Sequence, residues 1–468
     1  MAPSPTGNLH IGTAHTTMFN YLLAKQTNGQ FILRIDDTDA ARNRPEFEAD
    51  ILDSLRWLGL DWDQGGDLPD GPHHPYHQSQ RTEIYQTYID QLLDSGHAYR
   101  CFCTSEQLAA ERAASQARKE PVYQYSGICR QLTANQIKTN LDKNIPYTIR
   151  MRTDFVHTIV VDDLIRGHIE IPASEIGDFV ITRSDGSPIL LLTSTVDDIE
   201  MGVTHAFRGE DMLNVTFRMF FIYQALNKPM PHYGHKPFLY AADGKKLSKR
   251  HGATSITEFR QAGYLPAAIL NYLLFVGYTP SDDQKPLWTK DEMITDFDIS
   301  RFQKGMPRFD YKKLLWYNSQ YIKQTPDAEL VELLTPYLPA ADKQMIKQLV
   351  PLVKQRIKTL AEVTDMTSFL FTDTIQVPDS GWKQLAIEHL TGAIEIFNSS
   401  EFKLETINLK LERLITDNDW KTGHFFMNLR LAVSGQTITP PITESILILG
   451  PNQTLTRIQN AINYLKTK

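Results

Sequence analysis

The chain has 468 residues, 41% of them hydrophobic and 22% charged, with a net charge of −7; that length exceeds what one hydrophobic core holds, so about three or more domains are expected. The longest apolar candidate, Tyr264 to Tyr278, is broken by Pro266 and Asn271 and falls short of a membrane span, and the opening residues read as neither a secretion signal nor a transit peptide, which leaves the cytoplasm or an organelle after cleavage. Three cysteines argue for thiols or a metal rather than a disulfide framework, and a mildly acidic balance still allows a local basic face for phosphate.

In chain order, Pro3 to Thr13 (PSPTGNLHIGT) is a proline- and glycine-rich turn, and from about Ala14 a helix is predicted with Met18, Leu22 and Leu23 on one side. That spacing puts His10 and Gly12 at a helix N-terminus, where unpaired backbone N–H groups and the dipole favour phosphate, and Gly12 leaves room for a base or ribose. Alone, such a turn is more often an ordinary strand-to-helix connection. Phe31 to Ile35 reads as a strand, followed by the acidic residues Asp36, Asp37 and Asp39. Helices are predicted from Pro45 (Phe47, Ile51, Leu55 and Leu58) and over Glu83 to Ser95, ending at Gly96. This alternation is that of a parallel α/β sheet, whose ligands bind beyond the strand C-termini, which is where the carboxylates fall.

From Gly96 to Ser187 the pattern changes to a cysteine-bearing piece, a polar helix around Ser105 to Lys119 and short strands at Tyr147 to Arg152, Thr158 to Val161, His168 to Ile171 and Phe179 to Thr182. This stretch reads as an insertion with its own fold, and its last turn, SDGS, is expected to lead into Ile189 to Val196 as a hairpin. Alternating text returns with a strand at Thr204 to Arg208, a helix over Leu213 to Leu226 and a strand at Lys236 to Tyr240. Next comes DGKKLSKRHGA, where Lys245, Lys246, Lys249, Arg250 and His251 crowd cationic groups that an anion would separate. A mobile loop placing Lys249 on a polyphosphate is one reading and a solvated basic turn the other.

Taken together, the two stretches resemble the signatures of class I aminoacyl-tRNA synthetases, and specifically of bacterial-type glutamyl-tRNA synthetases. PSPTGNLHIGT and KLSKR (246 to 250) are the two signature segments, and between them RIDDTD, LRWLGLDWD, YHQSQR, VDDLIRG, DFVITRSDG, GVTHAFRGEDML and KRHGATSITEF stand in the family's order. The likeness continues through KLLWYNSQYI to LRLAVSGQTITPPI. It implies an α/β fold: a Rossmann-type parallel-sheet catalytic domain (1–95 and 188–242), an inserted α+β acceptor-binding domain (96–187), a KLSKR loop and stem-contact domain (243–320) and an all-helical anticodon-binding region (321–468). The implied chemistry is attack of glutamate on ATP, with magnesium, to give glutamyl-adenylate, then transfer to tRNA(Glu), by a cytoplasmic monomer.

The resemblance assigns His10, Lys246 and Lys249 to catalysis and Pro3, Thr6, Gly7, His10, Gly12, Thr13, Lys246, Leu247, Ser248, Lys249 and Arg250 to ATP. It assigns Ala2, Ser4, Asp36, Leu190, Ser194 and Arg208 to the amino acid, Arg208 facing the substrate γ-carboxylate. Here the sequence departs from the family. Asp36 stands where glutamate is usual, Leu190 where tyrosine is usual and Ser194 where asparagine can occur. The family's arginine ahead of the first signature would precede Met1, and the shortened start is expected to be an artefact of start position. The altered pocket leaves two alternatives open: a paralogue that activates another amino acid or uses another acceptor, and a non-catalytic tRNA-binding paralogue. Cys101, Cys103, Tyr125 and Cys129 resemble the structural zinc site of some members, although Gln131 replaces a histidine found in others. Lys343 to Leu360 is predicted as a helix with a basic face, and Arg356 lies near an anticodon-contacting arginine of some members.

Overall fold

The computed structural model describes every residue except Ala40, Pro121 and Val122. It divides into two compact units, residues 1–259 with 270–310, and residues 260–269 with 311–468. Among the described residues no helix is long and apolar enough to cross a membrane.

The first unit opens with α1 (Ile11–Gln26), which begins earlier than the text predicts because the His10 side chain serves as its N-cap. Its inner face buries Ile11, Ala14, Met18, Phe19 and Leu22. The strand β1 (Ile32–Leu33) belongs to a longer extended segment that is bonded on both edges. On one edge, the N–H groups of Arg34 and Asp36 donate to the carbonyls of Met1 (2.9 Å) and Pro3 (3.0 Å). On the other, Ile35 donates to the Tyr76 carbonyl and accepts from the Gln78 N–H. The helix α2 (Pro45–Trp57) has its proline in the first turn, where the missing N–H is not needed, and buries Ile51, Leu52 and Leu55. Strand β2 (Gln64–Gly65) then pairs in parallel with β1, and α3 (Thr82–Asp94) ends before Gly96, whose φ is +72°.

The next segment contains β3 (Ala98–Cys101), α4 (Ser105–Ala117), α5 (Ala134–Asp142), β4 (Thr148–Met151), the antiparallel hairpin of β5 (Thr158–Asp163) and β6 (Gly167–Pro172), and β7 (Phe179–Val180). Strand β4 lies between β3 and β7, antiparallel to both. This segment does not bury its apolar side chains alone. Ile149, Met151, Ile159 and Phe179 share one core with Tyr85 and Ile89 of α3 and with Val196, Phe221 and Tyr233.

The expected strand over Ile189 to Val196 is instead α6 (Leu190–Glu200). The SDGS turn forms as predicted, Arg183 N–H donating to the Ser187 carbonyl at 2.7 Å, but the chain then coils into a helix buried from Leu191 to Asp198. A helix buried all round and a buried strand produce the same unbroken apolar text. Strand β8 (His205–Gly209), α7 (Leu213–Ala225) and β9 (His232–Lys236) complete a second parallel pair. The ladder ends where the last strand was predicted to begin, because the polar residues that disguise β9 find partners inside: His235 Nδ1 meets Asp163, and its Nε2 lies 2.9 Å from the Thr216 hydroxyl.

The second unit is helical among its described residues. One core gathers Leu330, Ile346, Leu349, Val353, Val363 and Phe369, and a second gathers Leu390, Leu411, Phe425, Leu429, Ile446 and Ile458. The helix predicted over Lys343 to Leu360 stops at Val353. Part of its basic face is neutralised, since Lys343 pairs with Glu332 at 2.6 Å and Lys354 with Asp327 at 2.7 Å.

Gly65 fixes the β1–β2 junction: its φ is +85°, and a side chain there would be driven into the Leu33 carbonyl. Gly65→Ala is expected to lower stability by about 3 kcal/mol, measured by urea unfolding.

Candidate active site

Residues of β1, β8 and β9 and one face of α1, from Gly12 to Ala24, surround a cavity of about 880 Å³ in the first unit. The two signature segments meet at its rim. Ile11 N–H donates to the Thr254 carbonyl at 2.7 Å and Ile256 N–H to the Leu9 carbonyl at 2.9 Å, so the chain just beyond KLSKR runs antiparallel to the HIG segment. Glu258 holds this junction from behind by accepting the N–H groups of Thr254 and Ser255.

This pairing corrects the expectation of free helix N–H groups. Those of Ile11, Gly12, Thr13 and Ala14 all have acceptors: the Thr254 carbonyl, His10 Nδ1 at 3.0 Å, and the His10 carbonyl twice. Gly12 is needed for the cap itself, since a Cβ there would lie 3.1 Å from His10 Nδ1. With Nδ1 accepting, the neutral His10 ring carries its proton on Nε2. Burial, with Lys246 adding to it, pushes its pKa below the usual histidine value and keeps it in that form.

The second signature is one arm of a hairpin: Leu247 N–H donates to the Leu239 carbonyl and Ala241 N–H to the Lys245 carbonyl, both at 2.8 Å, around a turn in which Gly244 has φ +77°. The Lys246 ammonium sits 3.3 Å from the centre of the Phe238 ring. Among the residues singled out for the nucleotide, His10, Gly12, Thr13, Lys246 and Leu247 line the cavity. Pro3 is buried with its carbonyl on Asp36, Thr6 and Gly7 lie in the turn, Ser248 bonds His251 at 3.1 Å, and Lys249 and Arg250 are exposed outside the wall.

All the residues singled out for the amino acid, namely Ala2, Ser4, Asp36, Leu190, Ser194 and Arg208, line the same cavity. Behind them is a buried ionic network that the sequence reading missed. Asp198 accepts from Arg34 at 2.9 Å, from Arg208 at 2.6 Å and from the Tyr233 hydroxyl at 2.7 Å. Arg34 also donates to Asp36 at 2.8 Å, and the Arg208 guanidinium lies 3.8 Å from the Tyr233 ring centre. Burial pushes the Asp198 carboxyl up, but Arg208 and Arg34 outweigh it and hold the group below the usual carboxylate range. At Asp36 burial wins and raises the pKa to about 6 against the pull of Arg34. A second buried carboxylate, Asp197, is held by Arg81 at 2.7 Å, Gln78 at 2.9 Å and the Tyr85 hydroxyl. The available signal was charge inside strand and helix text: Arg34 interrupts FILRI, and Asp197 and Asp198 end an apolar run.

Away from the cavity, the sulfurs of Cys101, Cys103 and Cys129 lie within 4.8 Å of one another. The Tyr125 hydroxyl is 3.2 Å from the Cys103 sulfur and 3.5 Å from that of Cys101, so the predicted set converges. Arg150 Nε reaches the Cys101 sulfur at 3.2 Å. Hydrogen bonding with Cys129 first, and with Tyr125 and Arg150, outweighs burial and lowers the Cys101 pKa from the usual thiol value, towards the thiolate form that binds metal. Arg356, in the second unit, is exposed.

Residues 1–316 match the family of tRNA synthetases class I (E and Q), catalytic domain, and residues 329–462 match an anticodon binding domain. The chain belongs to the class I tRNA synthetases of the E and Q group. It is 38% identical over 98% of its length to a Glutamate--tRNA ligase 2 of Caldicellulosiruptor saccharolyticus, covering 97% of that protein. It is 40% identical over 85% of its length to the Glutamate--tRNA ligase of Aquifex aeolicus, covering 83% of that relative. The crystal structure of a glutamate tRNA ligase from Elizabethkingia meningosepticum in complex with its amino acid superimposes with a TM-score of 0.87 at 30% identity, covering 99% of this chain and 98% of that one. The synthetase therefore has the nucleotide signatures and the ionic network of its catalytic domain around one cavity.

Asp198 is the shared counter-ion of two guanidiniums. Asp198→Ala is expected to destabilise the synthetase by about 3–5 kcal/mol in chemical unfolding, because both cations stay buried without it.

Proposed function

We propose that this synthetase activates glutamate with ATP and transfers it to the 3′ end of tRNA(Glu). The observation that carries the reading is that the residues singled out for the amino acid and His10, Gly12, Thr13, Lys246 and Leu247 of the two signatures line a single cavity. In the first step a glutamate α-carboxylate oxygen bonds to the α-phosphorus of ATP and the bond to pyrophosphate breaks. In the second, a hydroxyl of the terminal ribose attacks the acyl carbon and AMP leaves. Negative charge collects on phosphate oxygens in the first step, so orientation and electrostatic stabilisation supply most of the rate.

His10 donates from Nε2 to the phosphates. Lys246, and Lys249 from the hairpin's outer side, stabilise the departing pyrophosphate. Magnesium accompanies the triphosphate and neutralises part of its charge. Arg208 pairs with the γ-carboxylate, and Asp36, ionised above about pH 6, receives the α-ammonium group. Pro3, Thr6, Gly7, Ser248 and Arg250 support the nucleotide segments. The domain division follows the family pattern: residues 1–95 and 188–242 form the catalytic domain, 96–187 contact the acceptor end, 243–320 carry the KLSKR loop and stem contacts, and 321–468 read the anticodon, Arg356 among them. The protein acts as a cytoplasmic monomer.

ATP–pyrophosphate exchange across all amino acids, with and without tRNA(Glu), tests the reading. Exchange is expected with glutamate and no other amino acid, and is expected to require tRNA. Lys249→Ala should lower it by roughly a hundredfold or more while tRNA binding barely moves, and unchanged exchange would remove this loop from the chemistry. A second reading is favoured by Leu190, which is 38% exposed and lines the cavity where a hydrogen-bonding tyrosine would otherwise serve the substrate. In that case another amino acid is activated, and exchange with it but not with glutamate decides for a paralogue; tRNA binding without exchange decides for a non-catalytic one.

The convergence of Cys101, Cys103, Cys129 and the Tyr125 hydroxyl fits a tetrahedral zinc that staples β3 to the turn carrying Cys129. Close to one zinc per chain is expected by elemental analysis of protein purified without chelator, and less than a third of an equivalent decides against the site.

A further inference from the structure

Lys236, the last residue of β9, lines the cavity with its side chain only 4% exposed. Its neighbours explain little of this. Its ammonium is 3.0 Å from Nδ1 of His15, one turn into α1 and itself 1% exposed, and 5.8 Å from the Phe19 ring centre. Among the described residues it makes no ion pair with a carboxylate. Glu210, the acidic group that acts on it through space, is already engaged by Arg166, the Phe238 N–H and the Tyr240 hydroxyl. A buried cation whose hydrogen-bond partner is a neutral ring is costly unless a ligand supplies the missing charge.

The cavity leaves few other groups for that ligand. The first N–H groups of α1 are already bonded within the protein, and Arg34 and Arg208 are held by Asp36 and Asp198. We propose that Lys236, oriented by His15, is an anion-binding residue for a phosphate of the nucleotide, completing the cradle begun by His10 and Lys246. This rests on the ATP-dependent reading above. His15 and Lys236 cannot both be protonated at 3.0 Å, and burial, with Lys236 adding to it, holds the His15 pKa well below the usual histidine value. The pair therefore carries a single proton, on the lysine, when a phosphate lies beside it.

Burial lowers the free Lys236 pKa to about 7, with Glu210 pulling upward. A bound phosphate raises it again, so binding takes up a proton above pH 7, and the lysine's share of the affinity is complete below that pH and lost as pH rises beyond it. The other titratable and charged groups lining the cavity are the Met1 amino group, His10, His73, His205, Asp36, Asp198, Asp211, Arg34, Arg208 and Lys246, and the lysine's share is isolated by comparison with the Lys236→Met protein.

The test is calorimetric titration of the full chain and of Lys236→Met with ATP, AMP and adenosine, in buffers of differing ionisation enthalpy at pH 6.5 and pH 8. We expect Lys236→Met to weaken ATP and AMP roughly tenfold or more at pH 6.5 and to leave adenosine within about twofold. The wild type should take up about half a proton or more with ATP at pH 8, and the variant measurably less. Equal ATP affinity in a folded variant, or an equal loss for adenosine, overturns the inference and leaves the activation reading standing. Should the variant not fold, absence of proton uptake by the wild type at pH 8 overturns it as well. A wild type that binds no ATP removes both readings.

Discussion

The catalytic unit depends on one carboxylate shared between two guanidiniums. Asp198 comes from α6, Arg34 from the segment that continues β1, 164 residues away, and Arg208 and Tyr233 from β8 and β9. A single buried anion thus ties together the helix and the strand ends that form the cavity floor. Its cost in desolvation is met by donors on both oxygens, an arrangement that weakens sharply when any member is lost. It also sets the orientation of Arg208, clamped between the carboxylate and the Tyr233 ring, so that the guanidinium has little side-chain freedom left.

The part of the cavity beside the two signatures is organised by a different pattern of hydrogen bonds. The start of α1 donates inward, to His10 and to the Thr254 carbonyl, which fastens the two signatures to each other. The groups left facing the cavity there are side chains, His10, Lys246 and Lys236, and it is to these that our reading gives the phosphates. The same capping that removes the free N–H groups fixes the His10 tautomer, and that is a more specific device than a helix terminus by itself.

Much of this was legible in the chain. The apolar faces of α1, α2 and α3, the glycine at the end of α3, the convergence of the cysteines with Tyr125 and the signature segments all followed from residue type and spacing, since each depends on neighbours a few positions away or on a family pattern. The failures share a cause. The run at Ile189 to Val196 was read as a strand, and β9 was placed too late, because a wholly buried element hides its period and a strand with paired polar residues hides its burial.

What the sequence by itself determined is therefore the family, the alternating α/β architecture and many of the residues that line the cavity, for these rest on local periodicity and on short motifs. Only the tertiary structure decided how the charges are matched. That Asp198 serves two arginines, that the first N–H groups of α1 are taken, that Lys249 stands outside the cavity wall while Lys246 lines it, and that the Lys236 ammonium meets a histidine rather than a carboxylate among the described residues all depend on distances between segments far apart in the chain. Electrostatic energy in a buried site is set by those distances and by exclusion of water, neither of which is written in the order of the residues.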